Sequence, residues 1–278
     1  MRVIIDSNRL QSDELANFLR ASRSNRAVIT DWVMIEAYKG EKLKSIYRIL
    51  SVVSEFPKQV IVMKNTGMCM TTHFGSQMSN RLIWREHTEW FPNFIDEIQQ
   101  AENGKIFIER SILERGAEAS ERLNLIESNA IGIMDHHKEM LEALKPEHIE
   151  AIRGRRGPPQ DILSYVHSIV YAFARDYGAN LGPNNENLKK KELLFDFKFR
   201  MGCAVASWLL EWIRTGCQDN FRSAKVINDF VDTMLSAYGT YFNGIMSKDK
   251  KLNRIHGLNR LLLNTMGVNC PPPYSLSN

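Results

Sequence analysis

Four cysteines are scattered along the chain (Cys69, Cys203, Cys217 and Cys270), with no CxxC pair among them. Neither a zinc site nor a disulfide framework is expected, and the four read as reduced thiols of a cytosolic protein. No run of about 18 apolar residues occurs, which argues against a transmembrane span. The opening Met1-Arg2-Val3-Ile4-Ile5-Asp6 meets an acid after three apolar residues and offers no secretory signal core, so a cytoplasmic location is expected. Glycine-rich phosphate loops are missing, with neither GxGxxG nor GK[ST] present, and no GxSxG elbow offers a nucleophilic serine. No internal repeat or low-complexity segment appears. These absences remove dinucleotide-dependent enzymes, P-loop NTPases and α/β-hydrolases from consideration.

What remains is an ordinary globular composition. The chain has 278 residues, 44% hydrophobic and 24% charged, enough for one large domain or a domain with a substantial insertion. A net charge of +4 suits a polyanionic partner without requiring one.

The hydropathy pattern changes twice. Val3-Ile4-Ile5 is a short β-branched run, the pattern of a strand buried on both faces. Ser12, with Glu14 and Leu15 behind it, predicts a helix start. Thr30 or Asp31 caps a second helix carrying Val33, Ile35, Ala37 and Tyr38; a third carries Leu43, Ile46, Tyr47, Ile49 and Leu50 and stops at Pro57. Val60 to Met63 reads as a second buried strand, parallel to the first across a right-handed crossover. From 66 to 219 the patterns are helical, with one expected strand at Lys105-Ile106-Phe107-Ile108. Breaks fall at Arg153-Gly154-Arg155-Arg156-Gly157 and at 179–185, and an apolar helix runs from Leu193 to Arg214. The last segment brings a helix over Val226 to Tyr238, a strand Gly244-Ile245-Met246, a helix Arg254 to Leu263, and an edge strand at Val268. Residues 1–65 and 220–278 thus form one α/β core interrupted by a helical insertion at 66–219.

Acids occupy telling places in this layout. Asp6 follows the first strand and Asp249 follows Gly244-Ile245-Met246. In a parallel sheet the carboxyl ends of strands lie along one edge, where sites gather. Glu36 stands mid-helix between apolar neighbours. Asp232 stands likewise, 17 positions before Asp249, while Asp229 competes with it one turn earlier on the same face. Any one of the 32 acidic residues is by itself ordinarily a solvated charge; the joint arrangement carries the reading. Four clustered carboxylates repel one another unless divalent cations neutralise them, and hard oxygen donors select magnesium or manganese.

Val3-Ile4-Ile5-Asp6-Ser7-Asn8 resembles the opening strand of PIN-domain nucleases. Thr30-Asp31-Trp32-Val33-Met34-Ile35-Glu36-Ala37 is similar to that family's second-helix segment. Asn228-Asp229-Phe230-Val231-Asp232 and Ile245-Met246-Ser247-Lys248-Asp249 resemble its third and fourth acidic motifs. The resemblance covers roughly residues 1–65 and 220–268. It implies a Rossmann-like parallel sheet of PIN type. It also implies a metal-dependent endoribonuclease in which Asp6, Glu36, Asp232 and Asp249 hold Mg2+ or Mn2+, with Asn8, Asp229 and Ser247 supporting. The chain departs from small PIN toxins in the helical residues placed before its third acid. Such an enzyme would act as a toxin, as an antiphage defence effector or in RNA processing. Two other readings stand beside it: a non-catalytic PIN-like scaffold that binds protein or nucleic acid, and a structure-specific DNA nuclease.

Arg153, Arg155 and Arg156, with Lys189, Lys190 and Lys191, are the candidate contacts to nucleic-acid phosphates. The insertion is also a candidate surface for a protein partner or inhibitor. Trp84, Trp90, Phe91 and Phe94 would suit base stacking, although aromatic residues at helical spacing ordinarily fill a core. His136-His137 beside Asp135 lacks a further partner at ligand spacing.

Overall fold

The computed structural model describes residues 1–38, 43–72, 77–107, 134–155, 159–176, 193–217 and 223–274, with single positions between 109 and 132 and at 157. The architecture is α/β, built on a four-stranded, wholly parallel sheet in the order β3-β2-β1-β4. Its strands are β1 (Arg2–Ile5), β2 (Arg26–Ile29), β3 (Val60–Val62) and β4 (Ile245–Met246). Val3, Ile4, Ile5, Ala27, Val28 and Ile29 are completely buried, as expected of strands covered on both faces.

The expected pairing of the first strand with Val60 to Met63 is corrected by β2. Ala27 pairs with Val3 on one side and with Val60 on the other, so β2 lies between the two strands predicted to be neighbours. β4 joins the opposite side of β1, with Ile4 against Ile245 and Ile5 against Met246.

Short helices connect these strands. Helix α1 (Asp13–Ala21) is capped by Ser12, whose hydroxyl accepts from the Leu15 amide at 3.3 Å. Thr30 rather than Asp31 caps α2 (Asp31–Tyr38), accepting from the Val33 amide. Then come α3 (Leu43–Ile49), α4 (Ser51–Glu55), α5 (Thr66–Thr71) and α6 (Met78–Arg81). Residues 82–88 close the free edge of β3: the Lys64 amide donates to the Leu82 carbonyl, the Trp84 amide to the Val62 carbonyl, and the Val62 amide to the Thr88 hydroxyl. That cover leaves no open strand edge there for another chain to pair with.

Helix α7 (Arg85–Glu102) lies against β3. After α8 (Pro146–Ile152) and α9 (Ile162–Asp176) comes α10 (Phe197–Arg214), buried almost throughout and packed on α9, α11 (Ser223–Gly239) and α12 (Lys250–Thr265). One hydrophobic core runs through all of these helices and the sheet. At the crossing of α9 and α10, a Cβ on Gly202 would stand 2.6 Å from the Ala174 amide nitrogen. Only glycine lets these two backbones approach so closely.

Other expectations are corrected here. Ile106 and Phe107 are helical, not part of a strand at Lys105 to Ile108, and both are exposed. The helix expected from Leu193 begins at Phe197, where the Asp196 side chain accepts from the Lys198 amide. The last helix begins at Lys250 rather than Arg254. Val268 is buried but makes no strand; it follows Gly267, whose φ of +88° turns the chain out of α12. No described helix is long and apolar enough to cross a membrane.

Candidate active site

The carboxyl edge of the sheet is held together by a small polar clasp. The Asp6 amide donates to the Met246 carbonyl, continuing the ladder one step past the end of β1. The buried Asp6 carboxylate then accepts from Ser247 Oγ, Asn8 Nδ2 and Ser7 Oγ. Asn8 reaches across the same junction, accepting from the Lys248 amide at 3.0 Å. Ser247 Oγ also accepts from the Asp249 amide at 2.9 Å. Residues separated by about 240 positions are thereby fixed to one another.

Two helices bring further acids. On α2, Ile35, Ala37 and Tyr38 turn into the core and leave Glu36 exposed beside the sheet edge. On α11, Asp232 is half-buried. Asp6, Asn8, Trp32, Glu36, Asn228, Asp232 and Asp249 all line one cavity of about 220 Å³. All four acids proposed from the sequence therefore face the same space, each from its own structural element.

Electrostatics in this cavity are unbalanced. Burial, then the negative charges of Asp249, Asp6 and Asp229, push the Asp232 carboxyl up to about 8, against which Lys251 acts only partly. Burial also raises Asp6, with Glu36 adding to the effect while the Ser247 and Ser7 bonds oppose it. Asp229 differs: its carboxylate is paired with the Lys251 ammonium at 2.5 Å, and it does not line the cavity. The arrangement separates two acids that sequence spacing left in competition. Asp249 has a further task, accepting from the Lys251 and Leu252 amides as the N-cap of α12.

Among the described residues, no group of three or more His, Cys, Asp or Glu side chains is drawn close enough to form a metal shell. The donors nevertheless fit a hard divalent cation in kind. They are carboxylate oxygens, they converge on one cavity, and one is crowded by like charge that a cation would relieve.

Of the predicted phosphate contacts, neither Arg153 nor Arg155 lines this cavity. Arg153 is half-buried; its guanidinium donates to the Ile213 carbonyl at 3.2 Å and to Cys217 Sγ at 3.5 Å, tying a turn to the end of α10. Arg155 is exposed. Arg156, Lys189, Lys190, Lys191 and the break at 179–185 lie outside the described residues. Phe91 and Phe94 are core residues, whereas Trp90 and Trp84 are half-buried.

Sequence reasoning passed over a second polar cluster that braces the cavity wall. Asp31 accepts from the Thr66 and Trp32 amides and from the Thr66 hydroxyl. The Thr66 hydroxyl in turn accepts from Trp32 Nε1 at 2.8 Å and from the Tyr238 hydroxyl at 3.1 Å. Trp32 stood inside a recognised motif, but nothing in the linear sequence announced Thr66 as its partner. No protein-family model matches the chain, and no curated protein and no solved structure resembles it significantly.

Proposed function

We propose that this protein is a metal-dependent endoribonuclease with a sheet of PIN type, hydrolysing RNA phosphodiester bonds at the cavity lined by Asp6, Glu36, Asp232 and Asp249. The observation that carries the reading is the convergence of these four acids, from four separate elements, on one cavity at the carboxyl edge of a parallel sheet. Mg2+ or Mn2+ bound there would lower the pKa of a water nucleophile and stabilise developing charge on the phosphate. The chain's own contribution is placement. Ser247 and Asn8 hold the Asp6 carboxylate in one orientation, and the Trp32–Thr66 bond steadies the wall opposite. Like-charge crowding leaves Asp232 in want of a cation.

The test is Mn2+ titration calorimetry together with cleavage of single-stranded RNA. Wild-type protein should bind manganese and cut, and Asp6→Asn should do neither while keeping its fold. Undiminished cutting by pure Asp6→Asn protein would overturn the assignment. A second reading, the non-catalytic scaffold, draws on the local tasks that Asp6 and Asp249 already perform as clasp and helix cap. It predicts nucleic-acid or protein binding with no manganese affinity and no cleavage. Comparing single-stranded RNA, single-stranded DNA and forked duplex separates the ribonuclease from a structure-specific DNA nuclease.

A further inference from the structure

A second and larger concavity lies beyond β3, where Lys64 follows the strand. Its volume is about 1200 Å³, and Lys64, Arg81, Trp84, Arg85 and Glu86 line it, with Met68 and Thr71 of α5 opposite. Small-molecule pockets ordinarily measure ~300–1,000 Å³ and enclose their ligand in apolar walls. This one is larger, only half apolar in its lining, and carries three cations against one acid. Its charged and aromatic residues are held in register by backbone bonds: Lys64 donates to Leu82, Trp84 donates to Val62, and Met63 bridges Ile83. The Trp84 ring is braced by His87, the ring centroids lying 3.6 Å apart.

We infer that this cleft binds single-stranded nucleic acid, with Lys64, Arg81 and Arg85 holding backbone phosphates and Trp84 offering the ring on which an unpaired base stacks. Cations beside an aromatic platform make up the general chemistry of single-strand binding, in which charge follows the backbone and stacking engages bases without reading sequence. Position supports the same conclusion. Lys64 follows β3 and Asp6 follows β1, with β2 between, so the two stand two strand spacings apart, roughly 10 Å. Trp32, in the acidic cavity, is bonded to Thr66, the first residue of the helix that lines the cleft. A strand lying in the cleft would therefore lead toward the acids. A duplex presents no free base face to Trp84. The inference rests on the nuclease reading for its purpose, but not for its test.

The test is fluorescence anisotropy with a labelled U12 RNA and a dT12 DNA in EDTA, where cleavage cannot contribute. Both should bind, and a 12-base-pair duplex should compete at least tenfold less well. Lys64→Gln/Arg81→Gln/Arg85→Gln should weaken binding at least tenfold and flatten the log–log salt slope by about 2, near 0.7 for each phosphate no longer neutralised. Trp84→Leu should weaken binding by about 5- to 150-fold, the range of one stacked base, with the slope unchanged. Because Lys64 and Trp84 are half-buried, the double variant Arg81→Gln/Arg85→Gln, confined to exposed side chains, repeats the measurement without touching the interior; it should lose several-fold. The inference is overturned by no oligonucleotide binding, by equal affinity in wild type and variants, or by preference for duplex. It is also overturned if poly-glutamate, and not the oligonucleotides, binds through these arginines, since the cleft would then serve an acidic protein. Manganese-dependent cleavage is scored separately. A protein that binds U12 in EDTA but never cuts keeps the cleft and loses the nuclease; one that cuts but binds regardless of the three cations does the reverse.

Discussion

Glu211 on α10 and Asp232 on α11 stand on helices that pack together, and both are largely withdrawn from water, but only one has its charge answered. Burial by itself would raise the Glu211 carboxyl. Two bonds from Arg214, at 2.6 and 2.8 Å, and one from Arg254, at 2.8 Å, outweigh burial and hold it below the ordinary glutamate range. Asp232 faces three other acids and is pushed up to about 8. The network around Glu211 is complete, and the one at the sheet edge is not. A buried network that is fully satisfied adds rigidity. An unsatisfied one stores a demand for a ligand, which is where departures from foldability are expected to mark function.

The contrast breaks most sharply on activity. Asp6→Asn should lower manganese-dependent RNA cleavage by at least about 100-fold, the scale seen when a ligand shell is disturbed. Its circular dichroism and melting curve should stay near wild type. Loss of fold together with activity would mean that the clasp is structural first.

Stability should move in opposite directions at the two acids. Glu211→Gln leaves two arginines without their partner and should cost about 2 kcal/mol in urea unfolding, below the value for a fully buried pair because both arginines are half-exposed. Asp232→Asn should instead stabilise the ion-free protein above neutral pH while reducing cleavage. The sign follows from its raised folded-state pKa. Between about 4 and 8 the native state holds a proton that the unfolded chain has released, so stability is complete at low pH and is lost as pH rises through 8. In EDTA the wild-type melting temperature should fall from pH 5 to pH 8 relative to Asp232→Asn. Parallel curves would show that Asp232 is not frustrated.

Gly202→Ala sharpens the contrast from the helical side. The new methyl group meets the Ala174 backbone, and the strain should cost about 1–3 kcal/mol, with cleavage per folded molecule unchanged. The smallest effect should come from His256, buried with its Nε2 unpartnered among the described residues. Burial, aided by Arg260, lowers it to about 4. Its contribution is therefore present above pH 6.5 and lost as pH falls toward 4, the reverse of Asp232. His256→Gln should flatten the melting profile across that window.

Much of the sheet edge could be read from the sequence because its signals are local. Three consecutive β-branched residues ending in Asp6 announce a buried strand and its exit, and Ser12 announces a cap. Asp249 follows an apolar pair at the other end of the chain. β2 was hidden because Ala27-Val28-Ile29 runs directly into Thr30 and the apolar α2, so strand and helix merge into one hydrophobic stretch. Lys105 to Ile108 failed for the opposite reason: aromatic and β-branched residues favour strands only where a sheet can receive them, and Ile106 and Phe107 lie exposed, beyond reach of one. The cleft cations Lys64, Arg81 and Arg85 belong to no run. The basic cluster at 153–156 is conspicuous in the sequence, but Arg153 is an anchor for α10.

The clasp of Asp6, Asn8 and Ser247 also sets a clock. Its first two members are made some 240 residues before its third. β1 can acquire its second neighbour only after Met246 has been added, and the cavity has no Asp249 until three residues after that. A nascent or prematurely released chain lacks the finished cavity however well its helices have folded. Whatever chemistry the cavity performs is withheld from the ribosome and from the message that encodes it until Asp249 has been made.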